Sequence, residues 1–269
     1  MPETYHFQQH AMASLFEGWL VGEDIEHLRA VGNVIQAEFL RVEELLSRHD
    51  PVASLARLNR EATRGWVQVE RELLAVLQDA LHWFGVTGGA FDISVGTMGK
   101  TMQLQEALAL DPKTSRVRYL HPNLSLDFGG YGKGYALDCA ADLLQTYQIH
   151  HALLHGGRSS FWATGKRADK SPWRIRLPQA VFSHADQLSE PLQGGLSFSA
   201  VDSSPQSTEL FHSPPSSAHQ VQMSVVWAET ALKAEVLSTA ILATDPASLE
   251  AVIPNFSSIK KVISYSPII

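Results

Sequence analysis

The stretch Leu124–Asp138, LSLDFGGYGKGYALD, sets the reading of the whole chain. An apolar run ending at Asp127 reads as a short strand. Gly129, Gly130 and Gly132 then make a turn, and Lys133 and Gly134 open a helix that continues through YALDCAADLLQTY. Closely spaced glycines between a strand and a helix let the backbone approach a ligand, and the free N–H groups of a helix start attract anions. Lys133 adds a positive charge at the same point. The segment therefore suggests a phosphate-bearing ligand, while a purely structural glycine turn accounts for the same residues equally well. It matches neither GxGxxG nor GxxxxGK(S/T), so the two standard nucleotide fingerprints do not apply.

Working outward, the 269 residues are 45% hydrophobic and 18% charged, enough for one large domain or two intimate lobes with a substantial core. A formal charge of −7 and the lack of any basic block argue against general nucleic-acid binding. The single cysteine, Cys139, rules out an internal disulfide and a cysteine-rich metal site; its place on the helix after the glycine turn suits a packed thiol. No apolar run reaches membrane-spanning length. The first residues, MPETYHFQQHAMASLF, lack the features of a signal peptide, so the chain as given reads as cytoplasmic, with export left open if a leader was removed.

Residues 12–22 (MASLFEGWLVG) read as a strand, and 23–48 carry helical apolar spacing with Glu23 and Asp24 in the first turn. A short helical turn follows at SLARLNRE, then a brief strand at 66–69 and an amphipathic helix over 70–86. TGGAFDISVGTMGK is a glycine-dense loop around Ala90, Phe91 and Asp92. Residues 100–112 read as helix, 115–127 as two short strands and 132–148 as the glycine-turn helix. HALLHGGRSSFWATG reads as a strand pair broken at Gly156-Gly157, and SPWRIRLPQ alternates as in a sheet. Residues 202–220 form a Ser/Pro-rich loop. VQMSVVWA is a strand and TALKAEVLSTAILA a helix. The mixture lacks a regular βαβ cadence, which predicts an α+β fold.

Four polar spots are candidates for chemistry: Asp127 with Lys133, Asp92 in GGAFD, the second glycine pair in HGGRSS at 155–160, and Glu235 with Thr239. The last two lie one helical turn apart and share a face, and a carboxylate with a hydroxyl suits Mg²⁺ when carbonyls and waters complete the shell. A solvated helix face explains such a pair as well. The twelve histidines show no metal-ligand spacing, and neither GxSxG nor HExxH occurs. Ser159 and Ser160 would need a neighbouring base, and the sequence identifies none.

Taken in order, these segments resemble the FAD:protein FMN transferase (ApbE-type) family. MASLFE at 12–17 is similar to the family's MGTxxE, LSRHDPVASLARLN at 46–59 to FSTYDPxSELSRLN, and GGAFDISVG at 88–96 to GAFDxTVG. LDFGGYGKGYALD at 126–138 is nearly LDLGGIAKGYAVD. HGGRSS falls where the family has a GG(D/E) turn, SPWRIRLPQ at 171–179 resembles PWxIxIxxP, and AEVLSTAIL at 234–242 resembles ADALATALF.

The resemblance implies a single domain over 1–269, α+β and T-fold-related, with a ligand cleft between two α/β lobes. It implies Mg²⁺-dependent transfer of FMN from FAD to a Thr or Ser hydroxyl of a target flavoprotein, releasing AMP. Carried over by position, FAD contacts fall at Met12, Ala90, Phe91, Asp92, Asp127 and Lys133. Metal ligands fall at the Gly130 carbonyl, Glu235 and Thr239. Several positions depart from the pattern. Glu235 replaces an Asp, Arg158 replaces the acid of GG(D/E), His49 replaces a Tyr, and FSA at 198–200 stands for ATSG. LFHSPPSS at 210–217 stands for HxIDPRTG, with His212 as the catalytic candidate there. The alternative is a non-catalytic relative that binds FAD or another nucleotide.

Overall fold

Which residues pair with which is set first by a tight hairpin at the N-terminus. The computed structural model describes residues 2–94, 97, 103–176, 191–200, 223–243 and 261–265, the last by backbone alone. Strand β1 (Glu3–Ala11) returns as β2 (Ser14–Gly22), with Ala11 opposite Ser14. The turn between them places both Met12 (φ 50°) and Ala13 (φ 53°) in the left-handed region. Two-residue hairpin turns demand that conformation, and a non-glycine residue adopts it at a cost. The expected strand over 12–22 therefore begins two residues later, and Met12 is a turn residue. Glu43 fixes it by accepting the Met12 N–H at 2.7 Å.

Helix α1 (Ile25–Leu46) follows, with Asp24 as its cap rather than in its first turn: the Asp24 side chain accepts from the N–H groups of Glu26 and His27. Its apolar stripe, including Leu28, Ile35, Phe39 and Val42, is fully buried. Helix α2 (Ser54–Glu61), strand β3 (Val67–Gln68) and helix α3 (Arg71–Val86) come next, close to expectation. The helix expected at 100–112 is instead one turn, α4 (Leu104–Ala107), and a strand, β4 (Leu108–Asp111), within the described residues. Asp111 ends the strand by accepting from the N–H groups of Lys113 and Thr114 around Pro112, so the chain turns back into β5 (Arg116–Tyr119).

Helix α5 (Gly132–Thr146) leads to the hairpin β6 (His151–Gly156) and β7 (Ser160–Thr164), then β8 (Gly194–Ala200), β9 (Met223–Ala228), α6 (Ala231–Leu242) and β10 (Lys261–Tyr265). Seven strands form one antiparallel sheet in the order β1-β2-β6-β7-β8-β9-β10, and β3-β5-β4 form a second, smaller sheet. Helices α1, α5 and α6 cover one face of the large sheet and enclose the main core. The opposite face carries a smaller cluster of Val21, Phe161, Trp173, Ile175, Leu196 and Trp227. Residues 171–176 show the expected alternation, with Trp173 and Ile175 buried and Arg174 and Arg176 exposed, and they form no regular strand: Pro172 pairs with Lys166 in an isolated bridge.

Residues 124–127 are not a strand. They are extended, but side chains provide their pairing. Asn59 donates to the Leu126 carbonyl at 2.9 Å and accepts the Leu126 N–H at 3.0 Å, imitating a neighbouring strand. Thr97 Oγ1 accepts the Ser125 N–H at 3.1 Å, and the Asp127 N–H donates to the Ile93 carbonyl at 2.7 Å. The buried Tyr119 hydroxyl also donates to Asn59 Oδ1, at 2.7 Å. Asn59 thus fixes the approach to the glycine turn. Asn59→Ala leaves three polar groups without partners, so a loss of about 2–4 kcal/mol is expected in urea unfolding, against about 1 kcal/mol for Tyr119→Phe. Equal losses for the two variants would contradict this role.

Candidate functional site

The glycine turn lies where α5, α6 and the β1–β2 turn meet. Gly134 makes the closest approach: a Cβ there would lie 2.6 Å from Leu232 Cα and 2.8 Å from the Ala231 carbonyl oxygen. Only a glycine allows the two helices to touch backbone to backbone. The contact is bonded in both directions. Asp138 of α5 accepts the N–H groups of Ala231 (2.8 Å) and Leu232 (3.0 Å) at the start of α6. Glu235 of α6 accepts the Gly134 N–H at the start of α5 through Oε2. Each helix satisfies orphan donors of the other. Thr230 completes the α6 start by accepting the Lys233 N–H at 3.2 Å.

Glu235 is only 3% exposed, and its second oxygen, Oε1, is held by Lys133 Nζ at 2.7 Å. The ammonium lies 3.5 Å from the Gly129 carbonyl oxygen. Asp127 is matched in the same way: Oδ1 accepts the Gly129 N–H at 2.8 Å, and Oδ2 is 3.2 Å from Arg48 Nε. Arg48 Nε also donates to His49 Nε2 at 3.2 Å. Both acids flanking the turn are therefore countered by cations of the chain itself.

The remaining candidates divide clearly. Met12 reaches the cradle, its sulfur 3.5 Å from where a Gly132 Cβ would sit. Thr239 also reaches it, with Oγ1 3.0 Å from a Cβ built on Gly130. Ala90 is partly exposed, whereas the Phe91 ring lies in the main core, its centroid 6.3 Å from that of Tyr131. Asp92 Oδ1 accepts the backbone N–H and hydroxyl of Ser94 at 2.8 and 2.7 Å. Arg158 is exposed, and the Cys139 thiol is pushed up to about 12 by burial, which leaves it a packed thiol at neutral pH. His212 and the loop 202–220 lie outside the described residues.

The sequence reading missed Arg48, Asn59 and the serines behind α6. Ser199 and Ser238 hydroxyls lie 2.8 Å apart, Ser238 Oγ is 3.1 Å from Ser197 Oγ and 3.0 Å from the Glu235 carbonyl, and Ser224 donates to the Ser238 carbonyl at 2.6 Å. These bonds hold the Glu235–Thr239 turn against β8 and β9. Ser238 sits inside the AEVLSTAIL segment and Asn59 inside LSRHDPVASLARLN, so the quoted motifs contained both.

Gly130 packs against Thr239, one helical turn from Glu235, and a carbonyl, a carboxylate and a hydroxyl are the types of hard oxygen donor that Mg²⁺ requires. Among the described residues, no group of three His, Cys, Asp or Glu side chains could hold a metal ion on its own. The donor set fits, on the condition that Lys133 cedes Glu235 Oε1.

Two antiparallel sheets with helices packed on the larger one, and a glycine turn that opens onto a helix start beside a lysine, place the chain among α+β proteins. The model of the ApbE family matches residues 9–263, and the chain belongs to that family. It is 24% identical over 173 residues to the FAD:protein FMN transferase of Vibrio cholerae, covering 56% of this chain and 52% of that protein. It is 22% identical over 201 residues to the FAD:protein FMN transferase of Salmonella typhimurium, covering 65% and 57% respectively. The chain thus spans about half the length of the curated relatives it matches. Among solved structures, the flavin transferase ApbE from Vibrio cholerae superposes with a TM-score of 0.78 at 18% identity, covering 99% of this chain and 98% of that one. The Pseudomonas stutzeri flavinyl transferase ApbE gives a TM-score of 0.80 at 18% identity, covering 98% and 94%. The expected α+β, ApbE-like fold is therefore present.

Burial pushes the Asp138 carboxyl up, to about 6, against the two backbone donors that favour its charged form. The group holds its proton more tightly folded than unfolded, so its contribution to stability is largest at low pH and is lost as pH rises through about 6. The stability of the parent chain relative to Asp138→Asn is expected to shrink between about pH 4 and 6, by a few kcal/mol at most, and then level off. A difference that grows over that interval in parallel urea melts would show that the backbone donors outweigh burial.

Proposed function

We propose that this chain is a flavin transferase that binds FAD and moves its FMN moiety onto a Thr or Ser hydroxyl of a target flavoprotein, releasing AMP. The observation that carries this reading is the glycine turn at the start of α5, with Lys133 beside it and Met12, Asp127 and Thr239 converging on it. Helix-start N–H groups and an ammonium suit a diphosphate. Family membership over residues 9–263 gives that diphosphate a context as the centre of FAD.

In this role Lys133 would bind the diphosphate, and Gly129 and Gly130 would let it lie against the backbone. Arg48 would keep Asp127 in position under the turn. Mg²⁺ would be held by the Gly130 carbonyl, Glu235 and Thr239, where it supplies charge neutralisation for phosphoryl transfer. The acceptor oxygen forms a bond to the FMN phosphorus while the bond to the AMP phosphate oxygen breaks. The hydroxyl proton passes to a base, for which the family resemblance offers His212. Positioning and electrostatics carry most of such a reaction.

A second reading rests on LFHSPPSS at 210–217, which lacks the Asp and Arg of the family's HxIDPRTG. On that reading the chain binds FAD without transferring it. The two separate when protein, FAD, Mg²⁺ and a target domain with an acceptor Thr are incubated and resolved on a denaturing gel. Transfer gives a fluorescent band on the target, and Glu235→Ala should weaken it roughly a hundredfold or more. Tight FAD binding that Mg²⁺ does not alter, with no band, would establish the non-catalytic reading.

A further inference from the structure

Two of the donors that make the glycine turn attractive to a phosphate are already in use. The Gly134 N–H and the Lys133 ammonium both grip the Glu235 carboxylate, one on each oxygen. Glu235 thus stands as a resident anion in the cradle. Its side chain is one methylene longer than the Asp of the motif it resembles. Thr239, one turn along, stays beside Gly130.

This arrangement sets two incompatible demands. A diphosphate that takes Lys133 leaves a nearly buried carboxylate without its cation, and like charges then face each other across the cradle. A divalent cation that takes Glu235 Oε1 faces the Lys133 ammonium at 2.7 Å from the same oxygen. Either ligand alone leaves an uncompensated charge where burial makes that costly. Both together exchange partners cleanly: Lys133 turns to the phosphate, and Glu235 turns to the cation.

We propose that Lys133 and Glu235 form an exchangeable pair that couples divalent-cation binding to diphosphate binding, so that neither ligand binds well without the other. The inference rests on the diphosphate-binding reading above and concerns the order and strength of binding at that site. Coupling between ligands is reciprocal, so it is measurable from either side.

The test is calorimetric titration of the full chain with Mn²⁺, alone and with saturating inorganic pyrophosphate, alongside FAD binding followed by flavin fluorescence. Pyrophosphate should tighten Mn²⁺ binding about tenfold or more. Lys133→Met should bind Mn²⁺ more tightly than the parent chain without pyrophosphate and lose the enhancement. Glu235→Asp, whose shorter carboxylate no longer reaches the Gly134 N–H, should show the same loss and covers the case in which Lys133→Met does not fold. FAD binding combined with Mn²⁺ affinity that ignores pyrophosphate, or with no Mn²⁺ binding in any arm, overturns the exchange and leaves the FAD reading standing. Absence of FAD binding overturns both.

Discussion

Helices α5 and α6 lie side by side because each ends the other's list of unsatisfied donors. Asp138 crosses from α5 to the first turn of α6, and Glu235 crosses back to the first turn of α5. A carboxylate at a helix start gains from the free N–H groups and from the helix dipole. Three such bonds, two in one direction and one in the other, fix the register of the pair. They also need contact at backbone distance, which is why position 134 is glycine and why Gly195 of β8, where a Cβ would meet the Thr230 carbonyl oxygen at 2.1 Å, lies beneath the start of α6. The cradle, the α6 face and the central strands of the large sheet share this constraint.

Much of this was legible from local pattern. Glycine spacing marked the turn, 3.6-residue apolar spacing marked α1 and α3, and a short apolar run marked β9. The failures have physical reasons. Strand β8, GGLSFSA, has no alternation because small residues are required where α6 presses on it. Strand β1 buries only Phe7 and Ala11 along an otherwise polar run, so its apolar signal is too sparse to register. Residues 124–127 looked like a strand because they are extended and apolar, yet their partner is the side chain of Asn59, which no periodicity reveals.

The candidate site divides in a similar way. Lys133 and Glu235 were each visible beside a motif, but their bond spans 102 positions and nothing local announces it. Arg48 lies inside the LSRHDPVASLARLN segment, yet a lone arginine at the end of a helix reads as a solvated charge. Phe91 sits in a segment that resembles a ligand loop, although its ring fills core space against Tyr131. Position in a motif does not say which atoms face the glycine turn; the packing does.

The charge balance of the cradle bears directly on what it can accept. Asp127 with Arg48 and Glu235 with Lys133 amount to two acids and two bases. A neutral set of largely buried pairs attracts a bare anion weakly, because its two cations and the Gly134 N–H must first be taken from a carboxylate. The chain as a whole carries a formal charge of −7, which adds no long-range attraction for a diphosphate. A diphosphate accompanied by a divalent cation arrives with much of its charge already matched, and the rearrangement leaves no buried charge alone. On the proposed function, selectivity for the metal-bound form of the ligand would follow from this balance, without any side chain dedicated to recognising it.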